Sequence, residues 1–522
     1  MKIKSTLRHA LQGIFAAAFI VIFAAVTWWD AGDAESGART SLLSGTKTPG
    51  AEQVPIEDVE AHLTCPSQPV LASLGDEEDE DEGEAPVGTF DPDYAPTTGD
   101  AESFINAFNS TPEGEKSSQS SITEISEADT THKTHEFSRS KTLQTIRSDV
   151  ENPAVLTASE MSGETVTRLA GLRFGNASEG DLRGLAASPC LAVEAEHWLI
   201  GGETEPGSSA KLELVNPGDT PATARIDLWG SVGELDPVGS QSVLVPAGER
   251  KHVLLEGLVP GESRIAAHVT ASGGRIGAAI QDTRTQGLTP GGVDYVTPSA
   301  PPAKTQAIPG MVLEDGAAGL RILSPRDEPT NITVHLVTPS GKVEVADLED
   351  REIPGGVVAD IPLTGVTDGT YSVVVESDDP VVASGYVDRE GEDDRDPNDI
   401  GWMPSVPGEK EHLMTLPQEV EDIGFSVNVG ALEDDAVAQV RLVTTDGVED
   451  AEQLFLKPRE SRTVSIKSKI DDEDVIGVLV EADEPVAAGM AITRDLEPQT
   501  IALLPGISPA ALDNEATLLF EQ

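Results

Sequence analysis

The chain has 522 residues, with 35 Lys and Arg against 91 Asp and Glu, and a formal charge of −56. That balance excludes a nucleic-acid binder working through a basic surface, because phosphate binding needs Lys and Arg to replace counterions. Two cysteines exclude a disulfide-dense mini-domain and a Cys-rich zinc module, and 4 % aromatics with 49 Gly and 36 Pro argue against one large catalytic core.

Lys2, Lys4, Arg8 and His9 precede an apolar run from Ile14 to Trp29. With Ala10 to Gly13 the run reaches the roughly 20 residues a membrane helix needs. It ends in Trp28-Trp29, which suit the membrane interface, and the basic flank places the N-terminus inside. The rival is a cleaved signal peptide, for which Ala31-Gly32-Asp33-Ala34 is a poor cut site. The expected location is therefore the cytoplasmic membrane, single-pass, with the bulk of the chain extracellular.

Residues 76–103 hold twelve acids and no Lys or Arg. Such a block repels itself and buries little, so 76–150, with its Ser- and Thr-rich continuation, is expected to be a disordered spacer. From residue 152 short apolar alternations are separated by Gly, Pro, Asp and Asn clusters, a many-stranded antiparallel pattern. A repeat emerges on direct alignment. Segments starting at Arg264, Thr370 and Val475 match one another, and each reads as a hairpin closing on an acid-and-Arg end. Unit starts align at Ala210, Gly319 and Gly424, and Leu336-Val-Thr-Pro-Ser-Gly341 matches Leu442-Val-Thr-Thr-Asp-Gly447.

The expected fold is all-β: tandem immunoglobulin- or fibronectin-like sandwiches after one transmembrane helix. The alternative is a closed toroid with propeller-like blades, kept open by strand-like pieces at Gly292 and Asp399. The expected divisions are 1–30 for the cytoplasmic tip and anchor, 31–75 for a membrane-proximal segment with Cys65, and 76–150 for the spacer. Three β units follow at 151–290, 291–397 and 398–522.

Cys65 and Cys190 are expected to pair, because a thiol pair outside the membrane persists as a disulfide. The bond would close a loop whose chain-entropy contribution is about 4–5 kcal/mol. Beyond the disulfide no site residue is nominated, and no catalytic residue, cofactor or metal is implied. His132-Lys-Thr-His135 lacks the Glu of a zinc-protease helix. No nucleophile elbow, Walker loop or dinucleotide fingerprint is present. The acidic loops Glu390 to Asp396 and Asp471 to Asp474 lack the ligand spacing of an EF-hand. Trp198, Trp229 and Trp402 either stack on sugars or anchor cores. The sequons at Asn176 and Asn331 matter only in a glycosylating host.

The N-terminal anchor, Leu63-Thr-Cys-Pro66, the stretch Gly180 to Cys190, Glu196-His-Trp-Leu-Ile-Gly-Gly202 and Leu212-Glu-Leu-Val-Asn-Pro217 carry a resemblance. The chain resembles an uncharacterised family of actinobacterial membrane-anchored envelope proteins, a domain of unknown function often encoded beside a membrane glycosyltransferase. The resemblance implies a role in envelope assembly and carries over no active site. The long acidic insert departs from that pattern. The expected function is a non-catalytic extracellular binding or scaffold protein whose partner is an envelope protein or glycan, with the membrane held through the N-terminal helix. The alternatives are a carboxylate-dependent glycan-modifying enzyme and a calcium-stiffened adhesin.

Overall fold

The computed structural model describes residues 51–55, 60–71, 98–110, 119–126, 133–140, 143–159, 168–508 and 515–519, apart from residues 240, 314–315, 346–347, 392 and 394–395. The expected anchor and the acidic run 76–97 lie outside these residues. Among the described residues no helix is long and apolar enough to cross a membrane. Strands Ala51–Pro55 and Glu515–Leu519 pair antiparallel with each other in a small unit of their own. Residues 57–514 form the second unit, treated from here on.

That body is built from four copies of one motif. The first holds β1 (Glu60–Cys65), β2 (Glu102–Ser110), β3 (Gln119–Glu124), β4 (Leu143–Ser148), β5 (Ala154–Ser159), β6 (Arg168–Ala177) and β7 (Gly184–Pro189). The second holds β8 (Glu196–Ile200), β9 (Ser208–Asn216), β10 (Ala222–Gly230), β11 (Glu249–Leu254), β12 (Ala266–Ser272), β13 (Gly277–Gln286) and β14 (Thr289–Val296). The third holds β15 (Ala303–Leu313), β16 (Gly316–Leu323), β17 (Thr330–Thr338), β18 (Val358–Pro362), β19 (Gly369–Arg389) and β20 (Asp399–Pro404). The fourth holds β21 (Glu409–Thr415), β22 (Ile423–Ala431), β23 (Ala436–Thr444), β24 (Val448–Leu456), β25 (Ser461–Ile466), β26 (Glu473–Arg494) and β27 (Thr500–Pro505).

Each copy is a sandwich of two antiparallel sheets. The first sheet runs β4-β2-β6-β7, β11-β9-β13-β14, β18-β16-β19-β20 and β25-β22-β26-β27 in the four units. The second contains β3-β5-β1, β10-β12-β8, β17-β19-β15 and β23-β26-β21. Strand alternation explains the layering. Ala222, Ala224, Ile226 and Leu228 of β10 face inward, while Thr223 and Arg225 face water. Pairs of such faces bury each other.

The aligned segments at Thr370 and Val475 are not the hairpins their pattern implies. Each is one long strand shared by both sheets. In β19, Ser372–Ser377 pairs with β17, while Val382–Arg389 pairs with β16. Pro380 and Pro485 fall between the two paired halves. A residue without an N–H suits the point where the strand leaves one ladder for the other.

The units close into a ring. The last strands lie side by side in cyclic order: β7 with β14, β14 with β20, β20 with β27, and β27 with β7. The propeller-like alternative therefore holds, and each blade is itself a sandwich. Closure is mainly apolar. Phe104, Phe174 and Leu185 of the first unit are buried in the core of the fourth. Ile501 and Leu503 of the fourth enter the core of the third, and Ile400 and Trp402 of the third enter that of the second. Each such side chain contributes roughly 1.5–3 kcal/mol, more than an exposed ion pair at about 0–1 kcal/mol.

Two expectations change. Four units stand where three are read, and residues 102–148 contribute strands β2, β3 and β4 where a spacer is expected. The physical reason is the insert. It separates β1 from β2, so the first copy has no contiguous repeat to align. The Ser- and Thr-rich β3 and β4 gain their apolar partners only from β5 and β2.

Candidate functional site

The ring axis concentrates buried carboxyl groups. An inner edge strand leaves backbone N–H groups without ladder partners, and unpaired buried donors are costly. Two aspartates meet this need. Asp294 of β14 accepts from Ala187 N at 3.2 Å on one side and from Trp402 N at 2.8 Å on the other. It thereby ties the first, second and third units together. Asp399 of β20 accepts from Ile501 N at 2.8 Å, joining the third and fourth. Both carboxyls have no exposed surface.

Burial pushes both well above the usual carboxylate range, with the backbone N–H donors opposing it. For Asp294 the neighbouring Asp399 adds to the rise. Two glycines make this approach possible. Gly184 has φ +136° and a Cβ there would overlap the Asp399 carboxylate. Gly292 has φ +100° and a Cβ there would strike the backbone at Asp399 and Ile400.

The junctions carry further buried polar groups. Between the first and second units, Glu213 on β9 accepts from Ser67 N at 2.8 Å and from Ser67 Oγ, and meets His252 Nε2 at 2.8 Å. Burial opposes its ionisation, but the His252 hydrogen bond and charge and the Ser67 bonds outweigh that and hold it at about 2. Tyr295 donates to Ser67 O. Within the first unit, Arg173 donates to the carbonyls of Pro66, Val150 and Asn152 at 2.6–2.9 Å. Ser67, His252 and Glu213 have the composition of a nucleophilic triad but not its connectivity. Both Ser67 and His252 bond the carboxylate, whereas catalysis needs the histidine on the hydroxyl.

Between the second and third units, Trp402 Nε1 donates to Asp282 Oδ2 at 2.9 Å, and Arg284 bonds the same oxygen at 2.9 Å. Arg321 donates to Gly202 O and to Asp360. Half-buried Asp388 is raised to about 6, burial being the main cause, with Glu390, Glu203 and Asp282 adding to it and Arg284 opposing it. Between the third and fourth, Ser372 donates to Asn428 Oδ1 at 2.6 Å and Ser461 to Val337 O at 2.7 Å. Between the fourth and first, Arg168 meets Glu411 at 2.7 Å and Glu481 at 2.6 Å.

Cys65 and Cys190 are bonded, with Cα atoms 4.2 Å apart. Both are fully buried in the core of the first unit. Trp402 is buried at the ring interior, and Trp198 stacks on His268 at 3.9 Å and packs with Leu323, Val358 and Val382 of the third unit. The core role therefore wins over sugar stacking for these two. Trp229 is half-buried beside them. His132 lies outside the described residues, and His135 is exposed on a short strand. Among the described residues no group of three or more His, Cys, Asp or Glu side chains is arranged to hold a metal.

A cleft of about 250 Å³ opens beside the axis, lined by Pro69, Leu71, Glu102, Asn176, Ala186 and Val293 among others. Leu71 and Thr98, the described residues that bracket 72–97, both line it.

Sequence reasoning missed Glu213, Asp294 and Asp399. The available signal was an acid inside an apolar run, as in Leu212-Glu213-Leu214 and Val293-Asp294-Tyr295-Val296. A charge in such a run needs a buried partner.

A family model described as Family of unknown function (DUF5719) matches residues 145–431, more than half of the chain. The match begins in β4 of the first unit and ends with β22 of the fourth. No curated protein and no solved structure matches the chain.

Proposed function

We propose that this chain, which belongs to the DUF5719 family of unknown function, is a non-catalytic binding or scaffold protein of the bacterial cell envelope. In this reading the N-terminal apolar run anchors it in the cytoplasmic membrane, and the ring stands outside. The observation that carries the reading is the use made of the buried polar groups. Asp294, Asp399, Glu213, Asp282 and Arg168 each bind a neighbouring unit. Such a ring is a rigid platform whose sheet edges and loops remain for partners.

The buried disulfide supports an oxidising compartment. The resemblance to actinobacterial proteins encoded beside a membrane glycosyltransferase supports a role in envelope polysaccharide assembly. The test is capture by the chain of host membrane proteins and envelope polysaccharide at two salt concentrations, together with cell fractionation. Salt-resistant capture of one partner from the envelope fraction is the expected result. A cytosolic location, or no capture by folded protein, overturns the reading.

A second reading, a carboxylate-dependent glycan-modifying enzyme, has one observation in its favour. Asp388, raised to about 6, is half-buried with Glu390, Glu203 and Asp282 around it, the environment of a general acid. Loss of a polysaccharide product in cells carrying Asp388→Asn would favour it.

A further inference from the structure

Among the described residues the outer edge of the second sheet is short or in pieces in three of the four units and longest in the fourth. In the first unit it is the three-residue strand Thr134–Glu136. In the second it is the pair of short pieces Gly233–Leu235 and Ser242–Val245, and in the third Gly341–Glu344 and Arg351–Ile353. The fourth presents β24, nine residues long and terminal in its sheet, with a single bulge at Ala451, where Val440 and Arg441 pair with Glu452 and Asp450. Its inner neighbour is β23, and among the described residues no strand pairs with its other side. Proteins usually blunt such edges by shortening or interrupting them, because a row of unpaired N–H and C=O groups templates another strand.

We propose that the free edge of β24 docks a basic, extended segment of a partner protein by strand addition. This rests on the scaffold reading and names the chemistry of its partner. Three observations carry it. The edge is about 30 Å long, and beyond the bulge the run from Glu452 to Leu456 is regular, so a strand can be added there. Phe455 is 69 % exposed and Val448 38 % exposed, which gives an incoming strand an apolar contact near each end. Glu449 and Glu452 are exposed, exposed Asp450 pairs with Arg441 of β23 at 2.9 Å, and the nine residues include no Lys or Arg.

The charge selects the occupant. A second copy of this chain paired antiparallel on β24 would set these acids against one another, and like charges directly opposite destabilise a pair. A strand with Lys or Arg at alternate positions and β-branched residues between them meets both the acids and the apolar ends.

The experiment uses the full chain and two nine-residue peptides, one alternating Lys and Val and one alternating Glu and Val. Amide hydrogen exchange locates the contact, and titration gives affinity. The expected result is protection within 448–456 by the Lys peptide, persisting at about 0.3 M salt, where long-range attraction is screened. The Lys peptide binds at least tenfold tighter than the Glu peptide.

Glu449→Lys with Glu452→Lys reverses that preference, although the chain stays strongly acidic overall. Phe455→Ser weakens binding by about tenfold, with the melting temperature unchanged. Protection elsewhere, indifference to both variants, or binding of neither peptide overturns the proposal. If the peptides fail while envelope capture succeeds, the edge assignment falls and the scaffold reading stands. If capture fails while the edge binds peptide, the reverse holds.

Discussion

Replacing Glu213 by Gln tests whether the carboxylate between the first two units stabilises the ring as an ion. The side chain is 5 % exposed, with Ser67 and His252 on its two oxygens. Its value falls from an ordinary 4.5 to about 2. A folded-state value below the unfolded one means the folded protein favours the ion. The contribution is present above pH 4.5 and is lost as pH falls toward 2. The difference corresponds to about 3 kcal/mol at neutral pH. Gln keeps the volume and one acceptor but turns an NH₂ group toward donors. The expected loss in urea unfolding is about 3 kcal/mol at pH 7, shrinking to under about 1 kcal/mol by pH 2.5. The comparison is made as a difference because the other carboxylates of the chain titrate equally in both proteins. A loss that stays constant from pH 7 to pH 2.5, or none at pH 7, refutes the account.

Asp399→Asn has the opposite sign. The Asp399 carboxyl is raised by burial, so its contribution is full below the unfolded value and is lost as pH rises. The neutral variant should be more stable than wild type at pH 8 and equal to it near pH 4, with the gap opening at up to about 1.4 kcal/mol per pH unit; thermal melts across that range decide it. Trp402→Phe removes the donor to buried Asp282 and should cost about 1.5–3 kcal/mol, read by urea unfolding, whereas no loss would mean that Arg284 alone satisfies that charge. Cys65→Ala with Cys190→Ala opens a 125-residue separation and should cost about 4–5 kcal/mol, seen as a lower urea midpoint than that of the oxidised wild type.

Much of the β architecture was legible because it is local. Alternation in β10, β17 and β23 announces half-buried strands, and three copies of one unit align at Ala210, Gly319 and Gly424. The Cys65–Cys190 bond was legible from compartment and count. The first copy was not, because its first two strands are separated by the acidic insert and its third and fourth are polar. The sheet-switching of β19 and β26 was not, because a bent strand and a hairpin have the same residue pattern and differ only in partners.

The sequence alone determined that the chain is acidic, all-β and repetitive, since charge, alternation and spacing are properties of neighbours along the chain. Ring closure was decided only in three dimensions. Phe104 and Phe174 find their places in a core built mainly from residues 414–504, and no local pattern encodes a contact across that distance. The same holds for Asp294 and Asp399. In one dimension each is an acid next to apolar residues. Only when four edge strands meet do they face unpaired backbone N–H groups, and that meeting gives a buried carboxyl its structural use.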